Sequence, residues 1–222
     1  MEPRRIGALL SIIIITSALS FISWKLAATD SNADDMLLDC HGSLRSSYIS
    51  INKLIIDGNW SAVKAAYSWC TGSGTVGDPY VISGIEVNGL FSGSAMVIKN
   101  TNDYFIIENS KFFNGGDSFE NAGINLQNVM NGIIRTTIIT DIYEGIQLDS
   151  RCSSITITNN QWLDGTLTYG VSAVSSTNII VSYNSIIAKG EAVGFIGANN
   201  CRIIHNSKLE GASDSLMVLT IT

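Results

Sequence analysis

A chain of 222 residues that is 45% hydrophobic and only 14% charged can fold one sizeable domain and is too apolar to be disordered. Its formal charge of −6, with Lys and Arg scattered singly beyond Arg4 and Arg5, excludes a general nucleic-acid binder, which needs a continuous basic face to displace counterions from phosphate. Two prolines against 20 glycines, with Ile, Val, Asn, Ser and Thr filling much of the rest, describe a β-rich protein with many tight turns.

The first element is a cellular address. Arg4 and Arg5 precede 19 uncharged residues, Ile6 to Trp24, and Lys25 closes the run. At about 1.5 Å per residue such a helix just crosses a hydrocarbon core, and the arginines favour a cytoplasmic N-terminal side. Residues 1–26 are read as either a signal peptide, cut near the small residues Ala18 and Ser20, or an uncleaved membrane anchor. The length of the run favours the anchor. Both readings export the remainder, which places it outside the cell or on its surface, with membrane contact through residues 6–24.

Residues 27–71 read as a linker and an N-terminal cap. The stretch TDSNADD is polar and linker-like. Cys40 and Cys70 flank the segment before the repeats and are expected to form a disulfide in an oxidising exterior. The segment NWSAVKAAYSW, from Asn59 to Trp69, predicts a short amphipathic helix with Trp60, Val63, Ala66 and Tyr67 on one side.

From residue 72 to 222 the chain repeats. Five segments overlay: IIENSKF, IIRTTII, TITNNQW, IVSYNSI and IIHNSKL, centred on Asn109, Thr136, Asn159, Tyr183 and Asn206. The spacings are 27, 23, 24 and 23 residues, the first lengthened by an insertion between Asn114 and Asn121. A second landmark precedes each: AMVI at Ala95, GINL at Gly123, GIQL at Gly145, GVSA at Gly170 and AVGF at Ala192. Leucine-rich repeats are excluded by the dominance of Ile and Val and by the lack of a helical stripe within a period. Alternation such as Ile155-Thr156-Ile157-Thr158 has period two. The fold class predicted is all-β, a right-handed parallel β-helix of roughly six coils. Each coil buries its apolar face only by stacking on its neighbours. Asn109, Asn159 and Asn206 are expected to stack as a structural Asn ladder at a corner, amide to amide. Cys152 and Cys201 sit two turns apart, about 10 Å at sheet spacing, and are read as free, buried small hydrophobes. The C-terminal SLMVLTIT has no polar cap, which suits end-to-end self-association of solenoids or a fragment of a longer gene product.

These segments, with the lead-in GSGTVGDPYVISGIEVNG from Gly72 to Gly89, resemble the right-handed parallel β-helix proteins of the pectate-lyase-like superfamily. Within it the NosD-like group is most similar, over Gly72 to Leu219. The resemblance implies an exported archaeal or bacterial β-helix with carbohydrate-binding and sugar-hydrolysis type repeats. The superfamily holds lyases, hydrolases, epimerases and non-enzymatic scaffolds. Its pectate lyases pair calcium-binding aspartates with a catalytic Arg or Lys. Arg135 and Arg151 lack the surrounding motifs, and the acidic and glycine-rich motifs of polygalacturonase-like hydrolases are also missing.

The overlay places Asn114, Asp141 and Asp164 at equivalent positions. Asp141 and Asp164 would stack about 5 Å apart, close enough to raise one pKa or recruit a cation. That spacing suits calcium or a general acid/base pair. Glu144 and Asp149 lie nearby, and Trp162, Tyr143 and Tyr169 offer a sugar-stacking surface. The plainer reading carries more weight on sequence alone: Asp141 and Asp164 are solvated turn residues and Trp162 faces the core. No other metal is expected. His41 and His205 are far apart in sequence, and the adjacent Cys40-His41 is not a chelating spacing, so copper is not expected. Phosphate-loop, dinucleotide and HExxH motifs do not occur. The function expected is polysaccharide or glycan binding at the cell surface without turnover. The alternatives are a polysaccharide lyase or glycoside hydrolase using the acidic residues, and a structural surface protein that assembles through its ends.

Overall fold

The structure, a computed structural model, describes residues 48–162, 168–210 and 216–219. The hydrophobic run at 6–24, the linker, Cys40 and Asp164 lie outside the described residues. Among the described residues no helix is long and apolar enough to cross a membrane.

The chain winds through three parallel sheets, here A, B and C, as an all-β solenoid of about five turns. Sheet A stacks seven short strands, from Ile49–Asn52 to Lys208–Glu210. Sheet B runs from Leu54–Asp57 through Met96–Thr101, Glu144–Leu148 and Tyr169–Val174 to Leu216–Leu219. Sheet C includes Tyr80–Ser83, Phe105–Glu108 and Ser153–Thr158. The 14-residue strand Ala122–Arg135 passes from B into C without a break. Burial alternates along the strands, as period two requires. Ile82, Ile107, Ile134, Ile157 and Val181 stack in register on the inner face of sheet C, each fully buried. A buried isoleucine contributes on the order of 2 kcal/mol, so the stacks hold the coils together.

The corners explain the polar composition. Eight of the eighteen described non-glycine residues with positive φ are Asn, the side chain that best tolerates left-handed backbone. Between sheets C and A the corner residues are Asn109, Thr136, Asn159, Tyr183 and His205, with φ from 45° to 55°. This corrects the expected ladder. Asn109 and Asn159 hold the exposed left-handed corner, and the inward ladder lies one residue on: Ser110, Thr137, Asn160, Asn184 and Asn206. Asn206 does belong to it. Its Oδ1 accepts from the Asn184 N–H at 2.9 Å, and the Asn184 Oδ1 accepts from the Asn160 N–H at 2.9 Å. The Asn160 Oδ1 in turn accepts from the Thr137 N–H at 3.0 Å.

The expected cap forms as the seven-residue helix Trp60–Ala66. Trp60 is buried and stacks on Tyr80 at 5.2 Å and on Phe105 at 5.4 Å, and Val63 is buried beside it. Ala66 and Tyr67, expected on the same face, are exposed, because the helix ends at Ala66 and Tyr67 turns to stack on Trp69 at 4.7 Å. The lead-in is a tight loop: Ser73 and Thr75 N–H groups donate to the Asp78 carbonyl at 3.0 and 3.2 Å. Cys70 is buried, its thiol pushed up to about 11 chiefly by that burial; its expected partner Cys40 lies outside the described residues. Cys152 is free and buried as expected; Cys201 is free but only half-buried.

Candidate functional site

The strands are regular; the connections from sheet A to sheet B are not. Three of these loops, around residues 89–95, 114–121 and 140–143, stack on one side of the solenoid. They enclose a groove of about 350 Å³ lined by Phe91, Gly115, Gly116, Asp117, Asp141, Ile142 and Tyr143. Its floor needs glycine. A side chain at Gly115 would lie 3.0 Å from Ile142, and one at Gly116 would lie 2.2 Å from the Asn121 amide. The Gly116 N–H donates to the Gly93 carbonyl at 2.9 Å, which ties two of the loops together.

Phe91 is 73% exposed at the groove wall. Both Phe91 and Leu90 have left-handed backbone, with φ of 52° and 56°. That conformation costs about 1–2 kcal/mol per residue, so the loop is held by its surroundings. The Phe91 N–H donates to the Asn114 carbonyl at 2.7 Å, the Leu90 N–H to Asn88 Oδ1 at 2.9 Å, and the Lys53 ammonium to the Ser92 carbonyl. Asp141, also left-handed at 52°, is exposed and accepts from the Thr140 hydroxyl at 3.3 Å. The Thr140 N–H donates to the Phe112 carbonyl at 3.1 Å, which sets Asp141 beside Asn114 as the overlay expected. Tyr143 is half-buried, and its ring lies 6.4 Å from that of Tyr169.

Glu144 follows Tyr143 and starts the sheet B strand Glu144–Leu148, all five residues of which are buried. Ile146 and Leu148 face the core, so Gln147 faces outward between them, in register with Asn125 and Ser172. Asn125 donates to Gln147 Oε1 at 2.6 Å, and the Ser172 hydroxyl donates to Glu144 Oε2 at 2.9 Å. Glu144 is 1% exposed, and its Oε1 lacks a well-aligned hydrogen bond, as does the Oδ1 of Asn125. Burial raises the Glu144 carboxyl above the usual range; the Ser172 hydroxyl and a nearby Glu120 N–H offset part of this, and the Asp149 and Glu120 carboxylates add to it. Asp149 is raised chiefly by burial too, with Asn125 opposing. Burial, then Glu191, raises Tyr169.

The family described as "right handed beta helix region" matches residues 42–209. The chain belongs to the right-handed β-helix family. No curated protein and no solved structure matches it.

In this β-helix two of the residues singled out from sequence, Asp141 and Tyr143, share the groove. Glu144 is set beside them on sheet B, and Tyr169 touches Tyr143 from the next coil. Trp162 lies on the short sheet A strand Gln161–Trp162, in register with Ile139. The expected stacking of Asp141 on Asp164 lies outside the described residues. Among the described residues there is no group of three or more His, Cys, Asp or Glu that could hold a metal ion. Phe91 and Asp117 escaped the sequence reading. The available signals were an apolar Leu90-Phe91 pair inside a turn and the Gly115-Gly116 doublet.

Glu144 gives a pH signature. Its folded pKa is raised, so the native state binds the extra proton between the unfolded value, about 4.3, and the higher folded one. Stability from this group therefore falls as pH rises through that window. Glu144→Gln removes the buried charge. It is expected to raise the melting temperature at pH 7–8 by a few degrees, with the gain disappearing below about pH 4. Thermal melts of both proteins across pH check this.

Proposed function

We propose that this right-handed β-helix binds a polysaccharide or glycan at the cell surface, through the groove between Phe91 and Tyr143, without turning it over. The observation that carries the reading is the groove itself: an exposed aromatic ring and a second, half-buried one, two exposed carboxylates and a glycine floor. Sugar rings present apolar faces to aromatic side chains and hydroxyl donors to carboxylates, so a glycan uses both kinds of group at once. The resemblance to the NosD-like group supports the same ligand class. The surface location rests on the hydrophobic run from Ile6 to Trp24. A glycan array probed with the exported region, together with a cell-wall pull-down, tests the reading. Retention on a defined set of glycans is expected, and no carbohydrate affinity in either assay counts against it.

A hydrolase or lyase is the second reading, favoured by Glu144. A buried carboxyl with a raised pKa and an oxygen that lacks a well-aligned hydrogen bond has the character of a general acid. It requires turnover of a bound glycan that is abolished by Glu144→Gln; turnover unchanged by that substitution rules Glu144 out.

A further inference from the structure

The groove also has a charge, and charge selects among glycans. Asp117 and Asp141 are the charged residues that line it, and both are exposed. Further carboxylates stand on the same side of the solenoid: Glu120 in the second loop and Glu144 beside Tyr143. The lysines on that side do not line the groove. Lys53 is engaged with the Ser92 carbonyl and hydroxyl, and Lys189 lies two coils further on, before the strand Val193–Ile196. Arg135, the nearest arginine in sequence, is paired with Glu108 at 2.6 Å on sheet C. Lys111, just before the second loop, sits over the Phe113 ring at 4.8 Å and does not line the groove either. A chain of uronic acids or sulfated sugars would bring a charge every residue or two past two fixed carboxylates, with no Lys or Arg among the described lining residues to meet it. Like charges set against each other across an interface oppose binding and slow encounter. Neutral sugars lose nothing there, because their hydroxyls donate to Asp117 and Asp141. Amino sugars gain a counter-charge.

We propose that the Phe91–Tyr143 groove takes a glycan free of acidic groups, neutral or amino-bearing, and turns away uronic-acid and sulfated chains. This rests on the glycan reading and narrows it.

The test is calorimetric titration of the protein with three probes of equal length: mannohexaose, a glucosamine hexamer and hexagalacturonate. The expected result is binding of at least one of the first two, weakened by Phe91→Ala, with hexagalacturonate at least about tenfold weaker. The double substitution Asp117→Asn with Asp141→Asn is expected to narrow that gap by about threefold or more, because the fixed charges are gone. Hexagalacturonate binding as tightly as the others, or alone, overturns the charge rule and leaves glycan binding standing. An unaltered gap in the double variant also overturns it. Binding of none of the three probes counts against glycan recognition itself, and this inference falls with it.

Discussion

Asn184→Ala is expected to destabilise the solenoid by roughly 4 kcal/mol, enough to remove much of the stability of an ordinary domain. Asn184 is fully buried. Its Oδ1 accepts from the Asn160 backbone N–H at 2.9 Å and from the Asn160 side chain at 3.0 Å. Its Nδ2 donates to the Ile157 carbonyl at 3.0 Å and to Asn206 Oδ1 at 3.1 Å. Alanine leaves the Asn160 N–H and the Ile157 carbonyl without these partners inside the coil, and each buried orphan costs about 1–3 kcal/mol; Asn160 Nδ2 keeps the Ile134 carbonyl and Asn206 Oδ1 keeps the backbone N–H of residue 184. The comparison that makes the test sharp is Asn159→Ala. Asn159 sits one residue before the ladder member Asn160, exposed and left-handed at φ 55°. Its loss removes a residue that tolerates that backbone and one exposed hydrogen bond, from Asn159 Nδ2 to the Thr158 hydroxyl at 3.2 Å, a cost of about 1 kcal/mol. Urea denaturation of both variants separates the two roles. Equal destabilisation would show the ladder to be misassigned.

Gly170→Ala is the second large effect. The small-residue landmark that precedes each central segment, glycine at 123, 145 and 170 and alanine at 95 and 192, lies where the chain turns from the A-to-B loop into sheet B. A Cβ at Gly170 would lie 2.3 Å from Ile186 Cγ2 and 2.4 Å from the Ala192 carbonyl oxygen of the next coil. Neither can give way freely: Ile186 is fully buried, and the Ala192 carbonyl accepts from the Val171 N–H at 3.0 Å. Overpacking of this kind costs about 1–3 kcal/mol, and the backbone clash puts this position near the top of that range. Gly77 is the control. Nothing lies within 4 Å of its Cβ position and its φ is not left-handed, so Gly77→Ala should change stability by less than about 0.5 kcal/mol. Comparable losses at both positions would mean that coil-to-coil contact does not explain the landmark.

The solenoid was legible because it is written redundantly. Ile and Val at period two, a Gly or Ala at the A-to-B corner and a small polar residue, most often Asn, at or beside the C-to-A corner recur with nearly constant spacing, and one set of physical demands produces all three. The ladder was misread by one residue for an instructive reason. Asn serves two purposes at adjacent positions: tolerance of positive φ at Asn109 and Asn159, and a bonding amide at Asn160, Asn184 and Asn206. Letters alone do not separate these. In the last coil His205 takes the left-handed corner, so aligning Asn206 with Asn159 shifted the overlay, while the strand register pairs Val181 with Ile203 and Ser182 with Ile204.

The groove was legible only in part. Asp141 and Tyr143 emerged from the repeat because they lie in a short loop. Phe91 and Asp117 come from two other loops of different length, brought together by stacking rather than by spacing. The burial of Glu144 was also invisible, since alternation predicts one wet face for its strand and both faces are covered.

Calorimetric titration of an array-selected oligosaccharide into the wild-type protein, Phe91→Ala, and Phe91→Ala with Tyr143→Ala tests glycan recognition in the groove most directly. Phe91 is exposed and Tyr143 half-buried, so neither truncation removes a core side chain, and melting temperatures should stay within a few degrees of the wild type. Loss of about tenfold in affinity for the single variant, and of about a hundredfold for the double, is the expected result. Wild-type affinity in the double variant would contradict it and place any glycan site elsewhere on the solenoid.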